Sequence, residues 1–188
     1  MRDHVITNPK RKAQVMLDIE TLGCEPGCVV LEVAAIEFHP ETGATMQEFH
    51  IQLGIPAQQD DGFRIDHDTL AWHEKRGLLA GKWEGEYYEY AYFAICHWLK
   101  SIPIEDLWMK GTDFDVPVLK RLGEDSTVEW PIPYYASRDL RTLMKVAGVK
   151  RPATTVAHRA LDDCRQQISD LMECRRILGL ISREEAAA

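Results

Sequence analysis

No apolar run in this sequence approaches the roughly 20 residues needed to cross a membrane, because charged and polar residues interrupt every hydrophobic stretch. The chain opens without a signal-peptide pattern, so the expectation is a cytoplasmic protein with no membrane partner. A surplus of basic residues is also missing. Lys and Arg total 22 against 30 Asp and Glu, a net charge of −8. That balance argues against tight, sequence-independent grip on a nucleic-acid duplex through a basic surface. It leaves room for a site whose positive charge comes from bound cations. A disulfide framework is not expected either. The five cysteines (Cys24, Cys28, Cys96, Cys164 and Cys174) are odd in number and read as reduced thiols. Cys24 and Cys28 lack a following Cys/His pair at zinc-site spacing. Internal repeats and low-complexity tracts are absent.

What is present is one domain's worth of alternating strands and helices. Residues 1–13 are polar and basic and read as a lead-in, 14–180 as the folded domain, and 181–188 as a tail. VMLDIE, CVVLEVAAIEF and TMQEFHIQL read as three strands, the last two joined by a HPETG hairpin turn. DTLAWHEKR predicts a short helix from Asp68 to Arg76, opened by an Asp cap. Tyr88, Ala91, Tyr92, Ile95 and Leu99 are spaced for a helix over Glu84–Lys100. A strand at Leu107–Lys110 precedes a helix at Asp115–Leu122 with Pro117 in its first turn. Ser137 caps a helix ended by Gly148. A last helix runs from Ala157 to Leu178 with an apolar stripe of Leu161, Cys164, Ile168 and Leu171. The class is α/β with a mixed sheet.

Three segments carry candidate chemistry. In the first strand, alternation puts Asp18 and Glu20 on one face, opposite Val15, Leu17 and Ile19. Adjacent carboxylates repel, and a hard divalent cation relieves the conflict; a lone Asp-x-Glu is more often a solvated acidic face. GTDFD lies at a strand–helix junction, where α/β folds place ligands; Asp113 or Asp115 there equally suits a helix cap. HRALDD opens the last helix. His158 there suits a general base, and Asp162 one turn on suits an ion pair with it.

In order along the chain, Asp-x-Glu, Phe-Asp and His-x4-Asp resemble the three motifs of the DEDDh 3′→5′ exonucleases, the superfamily of the polymerase proofreading subunit, ribonuclease T and oligoribonuclease. The likeness is nearest to the phage and prophage DexA-type and exonuclease-VIII-like group, carried by MLDIETLG, DHDTLAWHEKRG, KGTDFDVPVL, YYASRDLRTL and AHRALDDCRQQ. It implies a ribonuclease H-like fold: a central mixed five-stranded sheet flanked by helices. It implies that Asp18, Glu20, Asp115 and Asp163 hold two Mg²⁺ or Mn²⁺ ions, with Asp115 chosen over Asp113 and Asp163 over Asp162 by the motif spacing. His158 would be the general base, and nucleoside 5′-monophosphates the product.

Four further residues are expected near the substrate. In related enzymes the stretch at Thr21 and Leu22 touches the terminal nucleotide, although Leu22 suits the core equally. Trp72 could stack on a base or lie in the core. Arg138 is a structural or substrate-side cation. The expected partner is nucleic acid, with single-stranded DNA ends favoured and a homodimer as one candidate assembly. An exoribonuclease or oligoribonuclease on the same fold is the main alternative, followed by an inactive nucleic-acid-binding module.

Overall fold

The computed structural model describes residues 13–79, 84–151 and 158–181. β1 (Ala13–Thr21), β2 (Val30–Phe38) and β3 (Thr45–Gln52) form an antiparallel meander. β4 (Ile104–Met109) and β5 (Ser137–Asp139) join the other side of β1 in parallel, giving the order β3-β2-β1-β4-β5. Six helices flank this mixed sheet: α1 (Ile55–Asp60), α2 (His67–Lys75), α3 (Tyr88–Lys100), α4 (Thr112–Leu122), α5 (Leu140–Ala147) and α6 (Ala160–Ile177). The architecture is the expected α/β one. No helix among the described residues is long and apolar enough to cross a membrane.

β1 and β2 are buried on both faces while β3 is largely exposed, and strand alternation divides the core in two. Ala13, Val15, Leu17 and Ile19 of β1 pack with the inward stripe of α3 and with Val118, Leu119 and Leu122 of α4. Met16, on the opposite face, packs with Ala34, Ile36 and Phe38 and with residues of α5 and α6. Asp18 and Glu20 share Met16's parity, so they lie beneath the helical layer rather than on a solvated face. Ala34 is the partner of Asp18 across the β1–β2 ladder. Its small side chain lets α6 come close, and the Cys164 thiol reaches the carbonyls of Met16 and Ala34 at 3.8 and 3.6 Å.

Several boundaries differ from the sequence expectation. The cap of α2 is Asp66 rather than Asp68: its Oδ1 accepts from the Thr69 amide and hydroxyl, both at 2.8 Å. α3 starts at Tyr88 instead of Glu84, because Glu86 continues β3's pairing. The Glu86 amide bonds Gln52 O at 3.0 Å, and the Gly54 amide bonds Glu86 O at 3.0 Å. Pro117 sits in the second turn of α4, which begins at Thr112, so the Asp113 carbonyl loses its usual helical donor. Ser137 is a strand residue paired with Leu107. The cap of α5 is Asp139, which accepts from Thr142 at 3.0 Å. Ala13, expected in the lead-in, already belongs to β1 and is buried. α6 begins at Ala160, and the expected start at Ala157 lies outside the described residues. So do residues 1–12 of the lead-in and 182–188 of the tail.

Close approach of α3 to the end of α4 depends on one missing side chain. A Cβ on Gly123 would meet the Tyr92 ring at 2.2 Å. Gly123→Ala should therefore cost about 1–3 kcal/mol by overpacking. A lowered midpoint in urea unfolding checks this; an unchanged midpoint would show that the α3–α4 contact yields easily.

Candidate metal and catalytic centre

Each acidic side chain is delivered by the end of an element. Asp18 and Glu20 come from the last turn of pleat in β1. Asp115 comes from the first turn of α4, after β4. Gly111 makes that junction with φ 140°, a backbone conformation that side-chain-bearing residues avoid. A Cβ there would also lie 3.9 Å from both Asp115 Oδ2 and Arg141 Nη2, so the loop runs close beneath the carboxylate. His158 and Asp163 come from the start of α6. The result lies at the C-terminal ends of β1 and β4, where parallel strands present ligands.

Glu20, His158 and Asp163 each place one ligand-capable atom within 4.8 Å of the others. Asp18 and Asp115 adjoin this triad from below, and their charges act on each other. Gln167, one turn along α6 from Asp163, donates from Nε2 to Asp18 Oδ1 at 2.7 Å. The other atom of that amide, Oε1, is buried with no hydrogen-bond partner. Asp113 is exposed. Asp162 is exposed as well and pairs with Arg165 at 2.9 Å. Their neighbours Asp115 and Asp163 are the ones turned inward.

Crowding and burial show in the protonation of the carboxylates. Burial pushes Asp18 well above the usual carboxylate range, and the charges of Asp115, Glu20 and Asp163 add to it against the opposing Gln167 bond. Burial pushes Asp115 up to about 7, despite hydrogen bonds from the Asp115 and Ile19 backbone and the nearby Arg141. Asp163 is raised by burial, with His158, a hydrogen bond to Glu20, and Lys110 working the other way. Acid groups held together against their preference favour a cation as partner. Glu20, His158 and Asp163 form a candidate metal-binding cluster, and the carboxylate oxygens suit a hard divalent cation.

Trp72 of α2 stands edge-on to His158 with ring centroids 4.6 Å apart. Arg76 lies over the same indole at 4.0 Å. The Trp is half-buried, so part of its surface remains open beside the cluster. The other residues expected near substrate make these contacts within the fold. Leu22 is fully buried in the core, its amide bonds Val29 O at 2.8 Å, and its carbonyl accepts from Asp66. Thr21 is buried, and its hydroxyl donates to Gly23 O at 2.7 Å. Arg138 pairs with Asp106 at 2.9 Å and donates to the carbonyls of Tyr135 and Ser137, a structural duty. Gln167, Lys110 and Arg141 were not singled out from sequence. Only Gln167 had a usable signal there, its i+4 spacing from Asp163.

The chain matches the family described as the 3′-5′ exoribonuclease Rv2179c-like domain over residues 13–174. No curated protein sequence matches it. Among solved structures, the zinc-bound complex of E. coli exonuclease I with single-stranded DNA is similar, with a TM-score of 0.70 at 15% identity; the likeness covers 91% of this chain and 43% of that one. E. coli exonuclease I in complex with a dA16 oligonucleotide gives a TM-score of 0.69 at 14% identity, over 90% and 43% of the two chains. At that identity the likeness is one of fold, and this chain spans less than half the length of those exonuclease I chains. With the family's match extending over the whole sheet, α1 to α5 and most of α6, the chain belongs to the Rv2179c-like 3′-5′ exoribonuclease domain family.

Proposed function

We propose that this protein is a metal-dependent 3′→5′ exonuclease that releases nucleoside 5′-monophosphates from nucleic-acid ends. The observation that supports this most is the convergence of Glu20, His158 and Asp163 within 4.8 Å, with Asp18 and Asp115 beside them. Asp18, Glu20, Asp115 and Asp163 would hold two divalent cations, Mg²⁺ or Mn²⁺. When bound, such ions supply the positive charge that makes an anionic phosphodiester open to attack. His158 takes the proton from the attacking water on an imidazole nitrogen. Trp72 keeps the imidazole in place from one side, and its exposed part would meet the terminal base, a contact worth about 1–3 kcal/mol when made. Gln167 holds the Asp18 carboxylate in one orientation. Within the superfamily, WHEKRG and DLRTL support a place beside the DexA-type and exonuclease-VIII-like group.

The family's description favours RNA as the first substrate to test, ahead of the DNA preference expected from the phage-group resemblance. A digestion series decides. Single-stranded RNA and DNA of one sequence, labelled at the 5′ end, are incubated with Mn²⁺, with and without EDTA, beside Asp18→Ala. The reading expects a descending ladder that needs both metal and Asp18, faster on RNA. A faster DNA ladder would reverse the substrate assignment. No cleavage of either would leave the cluster as a binding site only.

A further inference from the structure

We infer that Glu32 is a positioning residue: bonded to the Ala160 amide, its buried carboxylate holds the start of α6, and with it His158 and Asp163, in register with Glu20. The inference rests on the reading of those three residues as one working cluster.

Glu32 is 1% exposed and stands directly opposite Glu20 in the β1–β2 ladder. Two carboxylates facing each other across an antiparallel pair disfavour the sheet, and burying one disfavours it further. An apolar residue would suit the position better on stability grounds alone. The cost is offset by donors that come from two directions. From β3, His50 Nε2 lies 3.4 Å from Glu32 Oε2, and Gln52 Nε2 donates to Oε1 at 3.4 Å. From α6, the Ala160 amide donates to Oε2 at 3.2 Å.

That last bond fills a specific gap. The first amides of a helix have no partner within it, and a Ser, Thr, Asp or Asn at the N-cap usually supplies one. The N-cap of α6 is Arg159, which makes no side-chain cap and has no acceptor to offer. Glu32 does this work from a neighbouring strand, where its negative charge also suits the helix N-terminus. Ala160 is two residues beyond His158 and three before Asp163. The tether therefore falls between the two cluster residues that α6 contributes, next to the strand position of the third.

The cap needs an acceptor oxygen at the reach of a glutamate; it does not need the charge. Glu32→Gln keeps that reach, whereas Glu32→Asp keeps the charge and falls one methylene short. Mn²⁺ affinity by calorimetry, and kcat and KM separately, are measured on the full chain. Glu32→Asp is expected to bind Mn²⁺ about 10–100-fold more weakly, the usual loss when a group behind a metal ligand is removed. Its kcat should fall while KM barely moves, and Glu32→Gln should stay near wild type in all three. Glu32→Asp behaving as wild type, or Glu32→Gln as impaired as Glu32→Asp, would overturn the inference. Should Glu32→Ala fail to fold, this pair still decides. If the wild type cleaves no nucleic acid while the Mn²⁺ series keeps its order, the nuclease reading fails and the positioning role stands.

Discussion

His158→Ala should lower kcat by about 10²–10⁴-fold, the usual worth of a positioned general base, while Mn²⁺ binding persists through the carboxylates. His158 supplies the cluster's imidazole, the side-chain type most often used as a general base. Burial and nearby carboxylates keep Asp18 and Asp163 raised, but in the proposed holoenzyme those oxygens would be committed to the cations. His158 stands at the mouth of the cluster, partly exposed, with Trp72 against one edge. A water approaching from solvent meets it there. Single-turnover digestion of a labelled oligonucleotide measures the step, and calorimetry in parallel measures metal affinity. Activity near wild type would remove His158 from the chemistry. Loss of Mn²⁺ binding together with activity would make it a ligand, which its place in the triad permits on distance.

In EDTA, the protein should lose stability as pH rises, and Asp18→Asn should be more stable than wild type above neutrality. Asp18, Asp115 and Asp163 all hold protons more tightly in the folded state than in the unfolded chain. Their favourable contribution is therefore complete below the ordinary carboxylate pKa of about 4 and is lost as pH climbs through the folded value, about 7 for Asp115. Across that window the loss from one such buried group is on the order of a few kcal/mol. Asparagine at position 18 removes one ionisable carboxyl from the crowded cluster and keeps an oxygen for Gln167. It should raise the thermal midpoint at pH 8 while abolishing cleavage. Mn²⁺ displaces the same protons when it binds, so it should raise the wild-type midpoint more at pH 8 than at pH 5. A midpoint in EDTA that is flat between pH 5 and 8 would mean that the carboxylates are not forced together.

The three strands of the meander were legible because the apolar runs had strand length and the HPETG turn separated two of them. Helix interiors were legible from the stripe of Tyr88, Ala91, Tyr92, Ile95 and Leu99, all of which are buried. Boundaries were less so, since they depend on partners distant in sequence. Glu86 is extended because Gln52 and Gly54 pair with it. Ser137 is a strand residue because Leu107 lies beside it. Neither fact is written in local propensity. The same division holds in the site. The resemblance to the DEDDh motifs singled out Asp18, Glu20, Asp115, His158 and Asp163, which the fold brings near one another from three separate segments. Gln167 and Glu32 are linked to the site by bonds between distant segments, to Asp18 and to the Ala160 amide. Locally, one is a polar residue in a helix and the other a charge within an apolar strand. For Leu22 the motif context left substrate contact and core open, and its side chain is buried in the core.

The most direct test is a calorimetric titration of Mn²⁺ into wild type and into Asp163→Asn at pH 7.5. The account predicts binding to wild type with protons released, and binding that is much weaker in the variant. Equal affinity in the two proteins, or no binding to wild type, would contradict the claim that Glu20, Asp163 and their neighbours form a metal centre.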